Sequence, residues 1–235
     1  MLPPMDYREQ APPAGLTRSV RALWTLDCGA AANETIEHQA IPDGCIELIW
    51  RNRGSSSWGG EQPAAFACGL ISAPAQLRFS GDAHFTALRL WPWAWHRLGL
   101  APAAAFMDGW RALPAELDGP QSVLARLSAS DLEDGRLATA ILNTNSVAEI
   151  LAATGLSHRQ LQRWFEVRIG VPPRRYLRLL RFQAAFAGVQ AGDATLASHA
   201  ADHGYADQAH MAREFRTLAK ASAHALRSKA KGPFV

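Results

Sequence analysis

The sequence predicts an α+β chain: a small antiparallel β-rich domain, then an all-α domain with two helix-turn-helix units joined by a long helix. Three observations carry this. Short strand-like segments separated by turn residues occupy the first half. A helical period without strand alternation begins at Leu137. One helix-turn-helix pattern occurs twice in the second half. The charge divides with the pattern: residues 1–136 hold 11 Arg, no Lys and 15 acidic residues for a net −4, and residues 137–235 hold 13 basic against 6 acidic residues for +7. Only the second half suits a polyanion, because phosphate neutralisation supplies most nonspecific nucleic-acid affinity.

The length of 235 residues fits two modest domains, and 48% hydrophobic with 19% charged residues can build packed cores. No apolar run reaches the roughly 18 to 20 residues that a bilayer needs, so no membrane partner is expected. Residues 1–15 are expected to be disordered; Met1 to Ala14 is proline-rich without a basic start or apolar stretch, which predicts no secretory signal and a cytoplasmic location. The β-rich domain is placed at 16–130 and the helical domain at 131–235. Cys28, Cys45 and Cys68 lack paired spacing and are read as reduced thiols.

In the first half, strands are expected at Val20 to Leu26, Ile46 to Trp50, Phe66 to Leu70, Leu77 to Phe79 and Phe85 to Leu90. Pro42, Asp43 and Gly44 form a turn into Cys45, Gly59 and Gly60 mark a loop, and Gly81 with Asp82 reads as a hairpin corner. Trp91, Trp93 and Trp95 open a short helical segment that Gly99 ends. They can wall an apolar pocket, which with Cys45 gives a site for a small apolar or aromatic effector; they can also turn a corner and pack into the core. Cys45 beside Glu47, with His38 and His84, has neither zinc spacing nor a base at a fixed offset, so no metal or cofactor is expected. No nucleophile elbow, phosphate loop or zinc-protease helix occurs, so an enzyme is not expected. Gly119 and Pro120 close the domain, helical character starts at Ser122 to Leu127, and Ala129 to Gly135 is a polar connection.

In the second half, Ser146 with Glu149 reads as a capping box opening a helix that Gly155 stops. Ser157 with Gln160 repeats the box and opens a second helix four residues on. On that helix Leu161, Trp164 and Phe165 share one face and Arg159, Gln162 and Arg163 the opposite one. Arg pairs bidentately with guanine and Gln with adenine in the major groove, so this outer face suits base reading; an ordinary wet helix would favour Lys and Glu. Val147, Ala152 and Gly155 recur 49 residues later as Leu196, Ala201 and Gly204; Ser157, Leu161, Arg163 and Phe165 recur 50 later as Asp207, Met211, Arg213 and Phe215. Two such units can address successive major-groove faces about 34 Å apart. Between them, Pro172 and Pro173 start a long helix with Tyr176, Leu177, Leu180, Ala184 and Ala187 on one side, ending at Gly192. Arg174, Arg178 and Arg181 lie on another side, fit for phosphates or for water alone.

From Leu137 to Arg227 these motifs resemble the AraC/XylS-type transcriptional regulators: Ala152-x-x-Gly155-x-Ser157-x-Arg159-x-Leu161-x-Arg163-x-Phe165, Gly170-x-x-Pro173-x-x-Tyr176-Leu177, Ala200-x-x-x-Gly204-Tyr205 and Met211-x-Arg213-x-Phe215. The stretch Pro42-Asp43-Gly44-Cys45-Ile46-Glu47-Leu48 and residues from Cys68 to Pro120 resemble the sensory domain of some members. The resemblance implies a cytoplasmic activator-type transcription factor that binds double-stranded DNA, contacts the transcription machinery, and is controlled by an effector or by homodimerisation through its first domain. It carries base contacts onto Arg159, Gln162 and Arg163, and onto Gln208, Ala209, His210, Ala212 and Arg213, with Arg216 on phosphate. Because Ala209 and Ala212 offer only apolar contact with a thymine methyl, base specificity is expected mainly from the first unit. Two departures are Lys220-Ala221-Ser222-Ala223 in place of a closing glycine and proline, and His199 in a position for a branched aliphatic residue, which predicts a second unit weakened as pH falls or simply a part-exposed histidine. Competing readings are a small-molecule receptor that no longer reads promoters, and a thiol-based sensor or methyl acceptor using Cys45 or Cys68.

Overall fold

A computed structural model describes residues 5–129, 135–144, 146–192 and 195–227. The first part holds nine strands: β1 (Asp6–Gln10), β2 (Val20–Asp27), β3 (Thr35–Ala40), β4 (Ile46–Arg53), β5 (Ser56–Ser57), β6 (Ala65–Cys68), β7 (Ala75–Ser80), β8 (His84–Leu90) and β9 (Trp110–Ala112). A large sheet runs β1-β2-β8-β4-β6-β9 and a small one β3-β7-β5, and every pairing is antiparallel.

β8 lies between β2 and β4 and is covered on both faces, which is why its sequence lacks clean polar alternation. Leu88 and Leu90 join Leu48, Trp95 and Phe106 in one core, capped by Val123 and Leu127 of α1 (Pro120–Ala129). Phe85 and Ala87 face the other way, onto Ile36, Leu77 and Phe79 of the small sheet. Helix α1 therefore packs on the strands that precede it.

Two expectations are corrected here. The stretch 1–15, expected to be disordered, carries strand β1, whose residues pair from Asp6 with Asp27 to Gln10 with Leu23. Gly81 and Asp82 do not form a hairpin corner: β7 and β8 sit in different sheets, and the turn carries the chain from one to the other. The segment from Pro92 to Leu98 is a 3-10 helix, ended as expected by Gly99 at φ 69°. The connection expected at Ala129 to Gly135 falls largely on 130–134, outside the described residues.

The second part is helical: α2 (Gly135–Asn143), α3 (Val147–Thr154), α4 (His158–Arg168), α5 (Pro173–Ala191), α6 (Leu196–Asp202), α7 (Gln208–Ala219) and α8 (Ala223–Arg227). The long helix α5 serves two cores. Its first turns pack Tyr176 and Leu177 with Leu161, Phe165 and Ile169, and its later turns pack Phe182, Phe186 and Val189 with Met211, Phe215 and Leu218. The expected stripe is corrected accordingly: Ala184 and Ala187 are exposed, and Leu179, Phe182, Ala185 and Phe186 are buried, because a helix between two units must bury more than one face. Among the described residues no helix is long and apolar enough to cross a membrane.

Candidate nucleic-acid interface and the adjoining cavity

Helices α3 and α4 make the first helix-turn-helix. Gly155 ends α3 at φ 74°, a left-handed setting that glycine takes without strain. Ser157 then caps α4: its hydroxyl accepts from Gln160 N–H at 3.3 Å, and the Gln160 side chain accepts from Ser157 N–H at 2.9 Å. The equivalent box at Ser146 is absent; its side chain makes no capping bond. Leu161 and Phe165 are buried and Trp164 half-buried, while Arg159, Gln162 and Arg163 are exposed. Gln162 donates to Glu166 at 2.7 Å one turn on; Arg159 and Arg163 form no ion pair with any described residue.

Helices α6 and α7 make the second unit. Thr195 caps α6 and Asp207 caps α7, accepting from His210 N–H at 2.5 Å. Gln208, Ala209 and Arg213 are exposed, as is Arg216. Ala212 and His210 are half-buried, and His210 is held locally: its ring meets Tyr205 edge-on at 5.3 Å and Nδ1 accepts from Ala206 N–H.

The phosphate set divides. Arg174 is exposed, but Arg178 and Arg181 reach inward to Glu214, a carboxylate 4% exposed, at 2.8 and 3.2 Å. Tyr205 also donates to Glu214 at 3.0 Å, and the Arg181 guanidinium lies 4.9 Å above the Tyr205 ring. Arg178 and Arg181 thus belong to a node that fastens α5 to α7, because a buried carboxylate needs opposite charge. They are not a free phosphate grip.

Of the two readings of the tryptophans, the structure has the packed corner. Trp93 and Trp95 are 0% and 1% exposed, and all three indole N–H groups donate to backbone carbonyls, of Thr17, Arg18 and Ala101. Trp93 stacks on Trp91 at 5.4 Å, meets Tyr176 edge-on at 6.2 Å, and lies 6.5 Å from Trp164. Trp91 and Trp93 join the β-rich part to the first helix-turn-helix, while Trp95 packs on Phe106 in the core of the large sheet.

The cavity lies elsewhere, between the two sheets, with a volume of about 60 Å³, where roughly 10–15 Å³ holds one water. Its middle is apolar, with Ile49, Phe66, Leu77 and Phe79; of the expected set only Cys45 lines it, joined by Cys68, Asp43 and Glu47. Sequence reasoning missed Arg89, which is 5% exposed and bonds Glu47 at 2.6 Å and Glu9 at 3.1 Å, with Asp43 3.3 Å away. Trp24 N–H donates to the other Glu47 oxygen at 2.7 Å. Burial raises the Glu47 carboxyl above the usual carboxylate range, against the pull of Arg89. Burial also pushes both the Cys45 and Cys68 thiols well up, which withholds the thiolate that a redox sensor or methyl acceptor would use.

One loop ties this cavity to the helices. Asp43 and Cys45 face the cavity, while the Pro42 carbonyl accepts from Gln183 at 2.5 Å and the Gly44 carbonyl from the Tyr176 hydroxyl at 2.9 Å. Gly44 has φ 77° and sits against Leu180, where an added Cβ would lie 3.3 Å from the leucine methyl.

Two capped helix-turn-helix units on one shared helix, each with a polar face turned outward, define a DNA-binding protein. Family models agree: residues 150–229 match a helix-turn-helix domain, and residues 8–110 match a domain of unknown function, DUF6597. The helix-turn-helix domain over residues 150–229 is of the AraC type and supports a DNA-binding transcriptional regulator. Among solved structures, ToxT from Vibrio cholerae O395 bound to (E)-4-(8-methylnaphthalen-1-yl)but-3-enoic acid aligns at 11% identity and TM-score 0.48, over 82% of this chain and 97% of that one. An unsaturated fatty acid-bound wild-type ToxT from Vibrio cholerae strain SCE256 aligns at 11% identity and TM-score 0.43, over 85% and 94%. Likeness at that level carries no functional argument. No curated protein matches the chain.

Proposed function

We propose a sequence-specific transcriptional regulator whose hold on DNA depends on what fills the cavity between its sheets. The observation that carries this is the double duty of residues 41–45, which wall the cavity with Asp43 and Cys45 and hydrogen-bond α5 through Pro42 and Gly44. An occupant that moves the loop must strain or release those bonds, so it has different free energies in the two settings, as any effector requires.

In this reading Arg159, Gln162 and Arg163 supply most base discrimination. Gln208, Ala209, Ala212 and Arg213 add a weaker second set, with His210 a poor reader because Tyr205 and Ala206 hold its ring. Arg174 and Arg216 grip phosphate. Selection of bound oligonucleotides from a random pool with the purified chain tests the function. The expected product is a bipartite site with most information in one half. Equal information in both halves removes the asymmetry, and no enrichment at any salt concentration removes sequence reading altogether.

A further inference from the structure

We propose that the cavity takes a slender apolar molecule with a cationic head, an alkylamine or arylalkylamine, whose ammonium sits at the Asp43 end and whose far end reaches Gln62. This rests on the reading that the cavity holds the effector, and it names the chemistry of that effector.

The walls choose the sign of the charge. Of the residues lining the cavity, the charged ones are Asp43 and Glu47, and none is basic. Arg89 stands behind Glu47 and is already shared among Glu47, Asp43 and Glu9, although its Nη2 has no hydrogen bond. Arg21 spends one Nη on the Asp43 carbonyl and the Cys45 sulfur. Around this end Asp43, Glu47 and Glu9 face the guanidinium groups of Arg89 and Arg21, and burial pushes the Glu47 carboxyl up to about 7. The Asp43 Oδ2 atom is buried without a hydrogen bond, its nearest cation being Arg89 at 3.3 Å. A buried acceptor without a hydrogen bond, on a cavity wall that has no basic residue, favours an occupant whose charged head brings N–H donors, as an ammonium does, and disfavours a carboxylate, which brings none.

Gln62 supplies the second, independent observation. It is 3% exposed and lines the cavity; its backbone N–H donates to Ser56 and its carbonyl accepts from Arg51, but its side-chain carboxamide has no hydrogen bond among the described residues. Arg51, whose guanidinium holds the Gln62 backbone, lies four residues beyond Glu47 on β4, roughly 13 Å along the strand, so Gln62 and Asp43 lie toward opposite ends of the cavity. Ile49, Phe66 and Phe79 line the path between. An amine on a short hydrocarbon body with a terminal hydroxyl fits both ends.

The test uses the full chain with three probes of one length, hexylamine, 6-amino-1-hexanol and hexanoate, followed by titration calorimetry and thermal shift at pH 7. Both amines are expected to bind, the amino alcohol tighter than hexylamine, and hexanoate at least tenfold weaker. Asp43→Asn should weaken both amines tenfold or more, and Gln62→Leu should erase the advantage of the hydroxyl while sparing hexylamine. Hexanoate equal to or tighter than hexylamine, or no amine binding to the folded wild-type chain, overturns the proposal; that comparison needs no variant to fold. DNA affinity measured with each probe separates the two ideas. Hexanoate that binds and alters DNA affinity sinks the amine but keeps control by the cavity, whereas amines that bind without altering DNA affinity keep the site and sink the control.

Discussion

Replacing Glu214 by glutamine tests whether the second helix-turn-helix is fastened by charge. Glu214 accepts from Arg178 at 2.8 Å, from Arg181 at 3.2 Å and from Tyr205 at 3.0 Å, and is itself 4% exposed. The amide keeps one acceptor oxygen but points an N–H₂ at a guanidinium. Removing one partner of a fully buried ion pair costs about 3–5 kcal/mol. The arginines here keep 40% and 24% of their side-chain surface, so water screens and recovers part of that loss. The expected cost is therefore about 2–3 kcal/mol, which at roughly 2–4 °C per kcal/mol for a chain of this size lowers Tm by about 5–10 °C. Thermal unfolding by circular dichroism reads the total, and amide exchange along α7 reads where it falls. A loss under about 0.5 kcal/mol, the range of ordinary surface changes, would refute the reasoning. In the opposite direction, Glu214→Leu combined with Arg178→Met and Arg181→Leu is expected to recover most of the stability, since a well-packed apolar replacement avoids the desolvation cost.

Arg163→Ala should cost ~1–3 kcal/mol of DNA binding and relax base preference at one position, read by competition among single-base variants of the selected site. Arg216→Ala should weaken all sequences alike and reduce the salt slope by about 0.9, whereas Arg178→Ala should act chiefly on stability, because its charge is engaged with Glu214. Trp93→Ala, at a position with no exposure, should cost about 3–5 kcal/mol and loosen the first unit from the sheets; an intact melting profile would remove its joining role. Burial and the neighbouring His199 hold the His203 imidazole below its usual value of about 6.5. The unfolded chain therefore takes up the proton first as pH falls, so the stability present above about 6.5 is lost below it, and His203→Gln should flatten the urea midpoint between pH 7.5 and 5.5.

The helix-turn-helix pair was legible because its signals are local. Ser157 with Gln160, Asp207, Gly155 and the faces of α4 are all written within a few residues of one another. What depends on distant partners was not. β1 is a largely exposed edge strand and β3 a part-exposed one, so apolar alternation does not mark them. Arg178 and Arg181 look like a solvated stripe until Glu214, more than 30 residues away, is brought against them. The Trp91 to Trp95 segment has the composition of a pocket wall and of a packed joint alike, and only the approach of Trp164 and Tyr176 decides between them. The cavity draws its lining from β4, β6, β7 and β8 and from the 41–45 loop, a gathering that no sequence window contains.

The duplicated units are braced by different chemistry at the same place. Trp164 in α4 and Glu214 in α7 occupy equivalent positions, 50 residues apart. Trp164 lies against Trp93 on the β-rich part, so the first unit is held to the sheets by an aromatic cluster that Tyr176 of α5 also joins. Glu214 reaches Arg178 and Arg181, so the second unit is held to α5 by charge. The loop from Ile41 to Cys45 bonds α5 at Tyr176 and Gln183, on either side of those two arginines. A shift of this loop acts through Gln183 on the later turns of α5, which carry the second unit, while the contact of Trp93 with Trp164 holds α4 to the sheets. It can therefore change how the two reading helices are set relative to each other without altering a residue on either face. For a protein that must lay both helices into one duplex, relative setting is the quantity that decides affinity.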